Sequence, residues 1–86
     1  MKIVATPRYI RALGKFIKSR PDYYSLITRR LELLQESPFH PQLRLHKLSN
    51  RENEHAISID QSIRIVFHRD KDTCYLLDIG SHDEAY

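Results

Sequence analysis

The chain has 86 residues, a length that suits one domain with one thin hydrophobic core, so we treat 1–86 as a single domain. Fourteen Lys and Arg against eleven Asp and Glu give a formal net charge of +3, and 41% of the residues are hydrophobic; this composition excludes a disordered chain and suits an anionic partner. The single cysteine, Cys74, excludes an internal disulfide, and no apolar run is long enough for a membrane span or a signal peptide, so we expect a cytoplasmic protein that does not enter a membrane.

The first residues predict an edge strand followed by a helix. Lys2–Ala5 is short and partly β-branched, and Thr6 and Pro7 are typical of a helix N-cap and a first helical position. After them, apolar side chains recur at helical spacing, and basic side chains follow another face of the same helix. The apolar set is Tyr9, Leu13, Phe16 and Ile17, and the basic set is Arg8, Arg11, Lys15 and Lys18.

A second helix is predicted to begin at Pro21 and to end before Ser37 and Pro38. Its apolar stripe consists of Tyr23, Ile27, Leu31 and Leu34. Because the connection between the helices is short, we expect an antiparallel helical hairpin that covers one face of a sheet.

Alternating apolar and polar residues predict that sheet. Residues 43–48 alternate, residues 49–53 indicate a loop, and residues 54–59 and 63–68 alternate strictly around a turn at Asp60-Gln61-Ser62. The apolar face of this hairpin should lie on the helices. The other face should carry Ala56, Ser58, Asp60, Arg64, Val66 and His68.

The last segment predicts a central strand and a terminal helical turn. A turn at residues 69–72 precedes an apolar run at 73–79, and Gly80 is expected to end the strand. Ser81 and Glu84 have the spacing of a capping box, which would place His82 and Tyr86 on the same side of a helical turn. The predicted order is β-α-α-β-β-β, an α+β fold with an N-terminal strand, a helical hairpin and then antiparallel strands.

Three stretches carry a resemblance to a known family. They are His46-Lys47-Leu48, Arg64-Ile65-Val66-Phe67, and the ending Ile79-Gly80-Ser81-His82 with Tyr86 four residues later. Together with the order of elements, they resemble the RelE/ParE superfamily of type II toxin–antitoxin toxins over nearly the whole chain. The resemblance implies a RelE-like microbial RNase fold. For the ribonuclease branch it also implies cleavage of mRNA in the ribosomal A site, which inhibits translation, and an antitoxin as protein partner.

The same resemblance implies roles for individual residues. Arg64 matches the strand arginine that contacts the scissile phosphate, His82 matches the histidine before the C-terminal aromatic residue, and Tyr86 matches that aromatic residue. His46 and Asp60 match histidine and acidic positions of one branch. The general base stays open among His46, Asp60 and His82, because only Lys47 corresponds to the family's paired lysines and no glutamate base can be placed. The structural alternatives for His46 and Asp60 are a loop hydrogen bond and a turn-initiating aspartate.

These residue types suit cleavage of RNA through its own 2′-hydroxyl. The reaction needs removal of the hydroxyl proton, stabilisation of charge on the phosphate, and protonation of the departing 5′ oxygen. Imidazoles exchange protons near neutral pH, and a guanidinium matches phosphate oxygens. We therefore expect Arg64 and His82 to converge on one phosphate-sized hollow.

Further contacts with mRNA and ribosomal RNA are expected from basic side chains, because these bind phosphates. The residues expected to contact mRNA are Arg44, Lys47, Arg51 and His68. The basic set expected to follow ribosomal RNA is Arg8, Arg11, Lys15, Lys18, Arg29, Arg30, Arg44, Lys47 and Arg51, and the alternative for this set is an ordinary solvated surface. The five histidines have no zinc-ligand spacing, so no metal or other cofactor is expected. The alternative function is noncatalytic: a ParE-like gyrase inhibitor or an antitoxin-binding protein on the same fold.

Overall fold

The computed structural model describes residues 1–49 and 52–81, which form two helices and one mixed sheet. The elements in chain order are β1 (Lys2–Ala5), α1 (Pro7–Ser19), α2 (Tyr24–Glu36), β2 (His46–Lys47), β3 (Glu54–Ser58), β4 (Ile63–Asp70) and β5 (Thr73–Ser81). The sheet has the strand order β1-β5-β4-β3-β2, with β1 parallel to β5 and the other pairs antiparallel. The predicted α+β fold and the edge position of β1 are confirmed.

The start of α1 follows the predicted capping residues. The Thr6 hydroxyl accepts a hydrogen bond from the Tyr9 N–H at 3.2 Å and donates one to the Leu76 carbonyl at 2.5 Å, and Pro7 is the first helical residue. One side chain therefore both caps α1 and ties it to β5.

The second helix begins slightly later than predicted. Pro21–Tyr23 forms a 3₁₀ turn, after which α2 runs from Tyr24 to Glu36 and ends before Ser37, as the sequence indicates. Neither α1 nor α2 is long and apolar enough to span a membrane.

The main core lies between the helices and one face of the sheet. Alternate residues of β3 and β4 point into it, which confirms the strict alternation read from the sequence. Its buried side chains are Tyr9, Ile27, Leu34, Leu43, Ile57, Ile59, Ile63, Ile65, Phe67, Cys74, Leu76 and Ile79.

Most of the alternating segment 43–48 is not a strand. Pro41–Leu43 forms a 3₁₀ turn that buries Leu43 in the core, and Arg44 follows in the left-handed conformation with φ of 47°. Only His46–Lys47 pairs with β3, so β2 adds a short fourth strand to the three that the sequence predicted after the helices.

Two other boundaries differ from the predictions. The expectation that Gly80 ends the last strand was wrong, because Gly80 and Ser81 keep pairing with Arg64 and Ile63 of β4. The turn predicted at residues 69–72 is tighter, since β4 continues to Asp70 and Lys71 takes a left-handed φ of 55°.

Candidate functional site

The sheet face that the helices leave uncovered carries the central predicted site residue. On β3 this face consists of Glu54, Ala56 and Ser58, and on β4 it consists of Arg64, Val66 and His68. Ala56 and Val66 form a small apolar cluster with Leu48, apart from the main core. We call this surface the helix-free face. The prediction that Arg64 faces away from the helices is confirmed.

Arg64 lies in the middle of this face. It is half-buried on β4, opposite Ser58 of β3 and Gly80 of β5. Directly opposite residues of an antiparallel pair have Cβ atoms about 4.5–5.5 Å apart, so the Ser58 side chain is an immediate neighbour of the Arg64 stem. Gly80 contributes no side chain that would cover Arg64 from β5.

His46 lies on the same face at the edge of the sheet, opposite Ala56. The backbone of His46 is about 12 Å from that of Arg64. This distance combines two strand spacings of about 4.8 Å with one perpendicular two-residue step of about 6.7 Å along the strand. The Nδ1 atom of His46 lies 2.9 Å from the Arg44 carbonyl oxygen. Because a carbonyl only accepts, Nδ1 carries the proton, and in the neutral ring Nε2 then carries the lone pair. The predicted loop hydrogen bond of His46 is confirmed, and it orients this nitrogen.

His68 occupies the other end of the face. It is half-buried, lies opposite Glu54 and Tyr75, and its ring centroid is 6.5 Å from that of Tyr75. Tyr75 was not identified from the sequence, because the nearly continuous apolar run of β5 hides which of its residues share a face. The register shows that an aromatic ring, a group on which a nucleic-acid base can stack, lies on the same surface as Arg64.

Asp60 was placed on the wrong side of the sheet. The hairpin turn begins at this residue, so the strand alternation no longer applies to it. Its carboxylate instead accepts hydrogen bonds from the Tyr23 hydroxyl and from the backbone N–H groups of Ser62 and Ile63. Burial alone would raise the pKa of Asp60, but these hydrogen bonds and the charge of Arg20 outweigh it and lower the pKa. The turn-initiating role is confirmed, and the catalytic assignment loses support.

The predicted basic contacts are divided between two surfaces. Lys47 pairs with His55, whose ring stacks on Phe67 at 5.6 Å, so the register places Lys47 on the helix side of the sheet and not with His46. Arg44 is exposed beside the end of β3.

Three predicted residues, Arg51, His82 and Tyr86, lie outside the described residues. Strand β5 is described as far as Ser81, which lies opposite Ile63. The convergence of His82 with Arg64 therefore stays a prediction.

The described part of the site combines a guanidinium, two imidazoles, a hydroxyl and an aromatic ring on one sheet face. These groups bind phosphate, exchange protons and stack on bases. Within residues 1–49 and 52–81, no group of three or more His, Cys, Asp and Glu is arranged to hold a metal ion.

The chain is similar in structure to several solved proteins, and these include toxins. A metal-bound toxin from Helicobacter pylori has a TM-score of 0.82 at 21% identity, and the match covers 100% of this chain and 99% of that one. A chain of the Escherichia coli DinJ–YafQ toxin–antitoxin complex has a TM-score of 0.82 at 12% identity, covering 99% and 96%. YoeB from Staphylococcus aureus, a dimer, has a TM-score of 0.76 at 17% identity, covering 95% and 97%.

No protein-family model matches the sequence, and no curated protein does. The structural likeness nevertheless extends over nearly the whole of each chain. The chain therefore has the RelE-like fold that its sequence motifs led us to expect.

Proposed function

We propose that this protein is the toxin of a type II toxin–antitoxin pair and cleaves mRNA in the ribosomal A site as an endoribonuclease. The observation that carries the proposal is the position of Arg64, which is half-buried at the centre of a helix-free sheet face that also holds His46, His68 and Tyr75. The likeness to YafQ and YoeB supports the same assignment. We also propose a cytoplasmic location for the protein, because the proposed substrate, mRNA on ribosomes, is cytoplasmic.

In the proposed reaction, Arg64 binds the scissile phosphate and stabilises the negative charge that develops on it. Its half-buried position strengthens this interaction, because the guanidinium is less screened by water than on an open surface. An imidazole removes the proton of the 2′-hydroxyl, the hydroxyl oxygen bonds to phosphorus, and the 5′ oxygen leaves with a proton from a second acid. We assign these two proton transfers to His46 and His82, in an order that the pH dependence of the variants can establish.

An antitoxin is the proposed protein partner. The toxin–antitoxin complex among the structural neighbours supports this partner, as does the exposed basic stripe of α1. The partner would bind this chain and block access to the helix-free face.

The test is cleavage of mRNA on programmed ribosomes by purified variants. Removing one preorganised donor at a developing charge typically costs about 10²–10³-fold, so Arg64→Gln should reduce the cleavage rate by at least about 10²-fold. His82→Ala should do the same if it transfers a proton. Lys2→Gln, which removes an exposed positive charge of β1 at the opposite edge of the sheet, is the control and should cleave normally. Wild-type cleavage rates in folded Arg64→Gln would refute the proposed role of Arg64.

A second experiment separates the enzyme from its noncatalytic alternative. The gene is expressed without a neighbouring antitoxin gene, and both mRNA ends and chromosomal breaks are mapped. Cuts in register with codons support the ribonuclease, whereas double-strand DNA breaks without mRNA cuts would assign a gyrase inhibitor instead.

A further inference from the structure

A second group of basic and polar side chains surrounds a small cavity beside the end of β3. The cavity has a volume of about 140 Å³. That is less than the roughly 300–1,000 Å³ of ordinary small-molecule sites, and equals several water molecules of about 30 Å³ each. It therefore fits one compact group. The polar residues that line it are Arg30 of α2, Gln42 and Arg44 of the connector, and Ser58, Asp60 and Gln61 at the end of β3.

Arg30 provides the first indication of what this cavity binds. Its side chain is half-buried, and its Nε atom is fully buried with no hydrogen-bond partner among the described residues. Buried polar atoms are nearly always hydrogen-bonded, and a guanidinium can only donate. A ligand that binds the Arg30 guanidinium must therefore supply acceptor atoms.

Charge supports the same conclusion. Arg30 and Arg44 bring two positive charges to the cavity, and Asp60 brings the one negative charge among its lining residues. Both oxygens of that carboxylate already accept hydrogen bonds, Oδ2 from Tyr23 and Oδ1 from Ser62 and Ile63. The cavity consequently has a net positive charge and a surplus of donors, which suits an oxyanion.

The cavity adjoins the proposed active site. Ser58 lines it and also lies directly opposite Arg64 across the β3–β4 pair. Such cross-strand neighbours are about 4.5–5.5 Å apart at their Cβ atoms. The cavity therefore lies next to the position at which the proposed function places the scissile phosphate.

We propose that this cavity, which we call the Arg30 pocket, binds a second backbone phosphate of the RNA strand whose scissile phosphate lies against Arg64. The identity of the ligand rests on the proposed function, whereas the preference for an oxyanion rests on the lining residues alone. The pocket positions the strand and takes no part in proton transfer.

The first arm of the test uses the protein alone and inorganic phosphate. The Nε–H resonance of Arg30 is followed by NMR during a phosphate titration. We expect a saturable shift that is lost in Arg44→Gln and kept in Lys2→Gln. The absence of a saturable shift in the wild type would refute phosphate binding by the pocket, whether or not the protein cleaves RNA.

The second arm measures binding of a single-stranded RNA that carries a 2′-deoxy nucleotide at the cleavage position and so stays intact. Loss of one phosphate contact on a single strand should reduce the slope of log K against log salt by about 0.7 in Arg30→Gln and Arg44→Gln. Affinity should fall about tenfold, the effect of losing one charge-assisted hydrogen bond of roughly 1.4 kcal/mol. Arg44 is exposed, so its variant tests the pocket even if Arg30→Gln is less stable.

The two arms separate failure of the pocket from failure of the proposed function. A changed salt slope with no cleavage by the wild type would support the pocket and refute the ribonuclease. Phosphate binding with an unchanged salt slope would refute an RNA phosphate as the ligand of the pocket, without refuting the proposed ribonuclease activity. Equal weakening by Lys2→Gln would also refute an RNA phosphate as this ligand, because that exposed lysine of β1 lies outside the pocket.

Discussion

Replacing Tyr23 by Phe should destabilise the fold in a pH-dependent way. The Tyr23 hydroxyl donates to the Asp60 carboxylate, which also holds the N–H groups of Ser62 and Ile63 in the hairpin turn. This contact joins the turn between the two helices to the turn between β3 and β4. The same carboxylate holds the N–H group of Ile63, the residue that immediately precedes Arg64.

The size of the effect follows from the charge of the acceptor. A hydrogen bond to an ionised group contributes about 1.5–3 kcal/mol, and both side chains are only partly buried, so we expect the lower end, about 1.5 kcal/mol at neutral pH. The pKa of folded Asp60 is lowered, so its stabilising contribution is present above the unfolded pKa of about 3.9 and is lost as pH falls through the folded pKa. The difference between wild type and Tyr23→Phe should therefore narrow in acid.

Urea denaturation of four proteins tests this reasoning: wild type, Tyr23→Phe, Asp60→Ala and the double variant. The cycle should give a coupling energy of about 1 kcal/mol or more at pH 7 and a smaller one near pH 3. A coupling below about 0.5 kcal/mol, or one that stays constant between the two pH values, would refute the proposed charge-assisted contact.

Three other predictions concern parts of the fold away from the site. Thr6→Ala should lower the unfolding free energy by about 1–2 kcal/mol, because it removes the cap of α1 and the hydrogen bond to Leu76. Thr6→Ser keeps the hydroxyl and should lower the unfolding free energy much less, and urea denaturation measures both variants. The pKa of His55 is lowered, chiefly by burial, so the contribution of His55 to the unfolding free energy is present above the unfolded pKa of about 6.5 and is lost as pH falls. His55→Gln should therefore flatten the dependence of the unfolding free energy on pH between about 7 and 5. An unchanged profile in this variant would contradict the prediction. Burial also raises the pKa of the Cys74 thiol, so a thiol reagent should modify Cys74 only at the rate of unfolding, and rapid labelling of the folded protein would show the burial to be wrong.

The fold was largely predictable because its strongest determinants are local. Thr6 and Pro7 encode the start of α1 through one hydroxyl and one restricted φ angle, and both act where the sequence places them. The strict alternation of β3 and β4 identified the core face and put Arg64 on the other one. These features depend on neighbours a few residues apart.

The errors arose where distant partners decide the conformation. Gly80 stays in β5 because β4 continues to pair with it, and no residue near Gly80 in sequence reveals that partner. Asp60 turns toward Tyr23, which is 37 residues earlier in the chain, so alternation within the hairpin could not predict its side. The Arg30 pocket was missed for the same reason, since its residues come from a helix, a connector and a turn that meet only in the folded chain.

The helix-free face combines a structural demand with a chemical one. A sheet covered by helices on one face only must still exclude water from the middle of its other face, and here Ala56 and Val66 are almost fully buried there. Leu48 packs with Ala56 and Val66 in one cluster, so apolar side chains cover the middle of the face, and Arg64 and His46 lie beside them. Gly80, which lies opposite Arg64 on β5, has no side chain that could cover the half-buried guanidinium from that strand. The apolar cluster thus protects the middle of the sheet, while the position of Arg64 suits the phosphate contact of the proposed function.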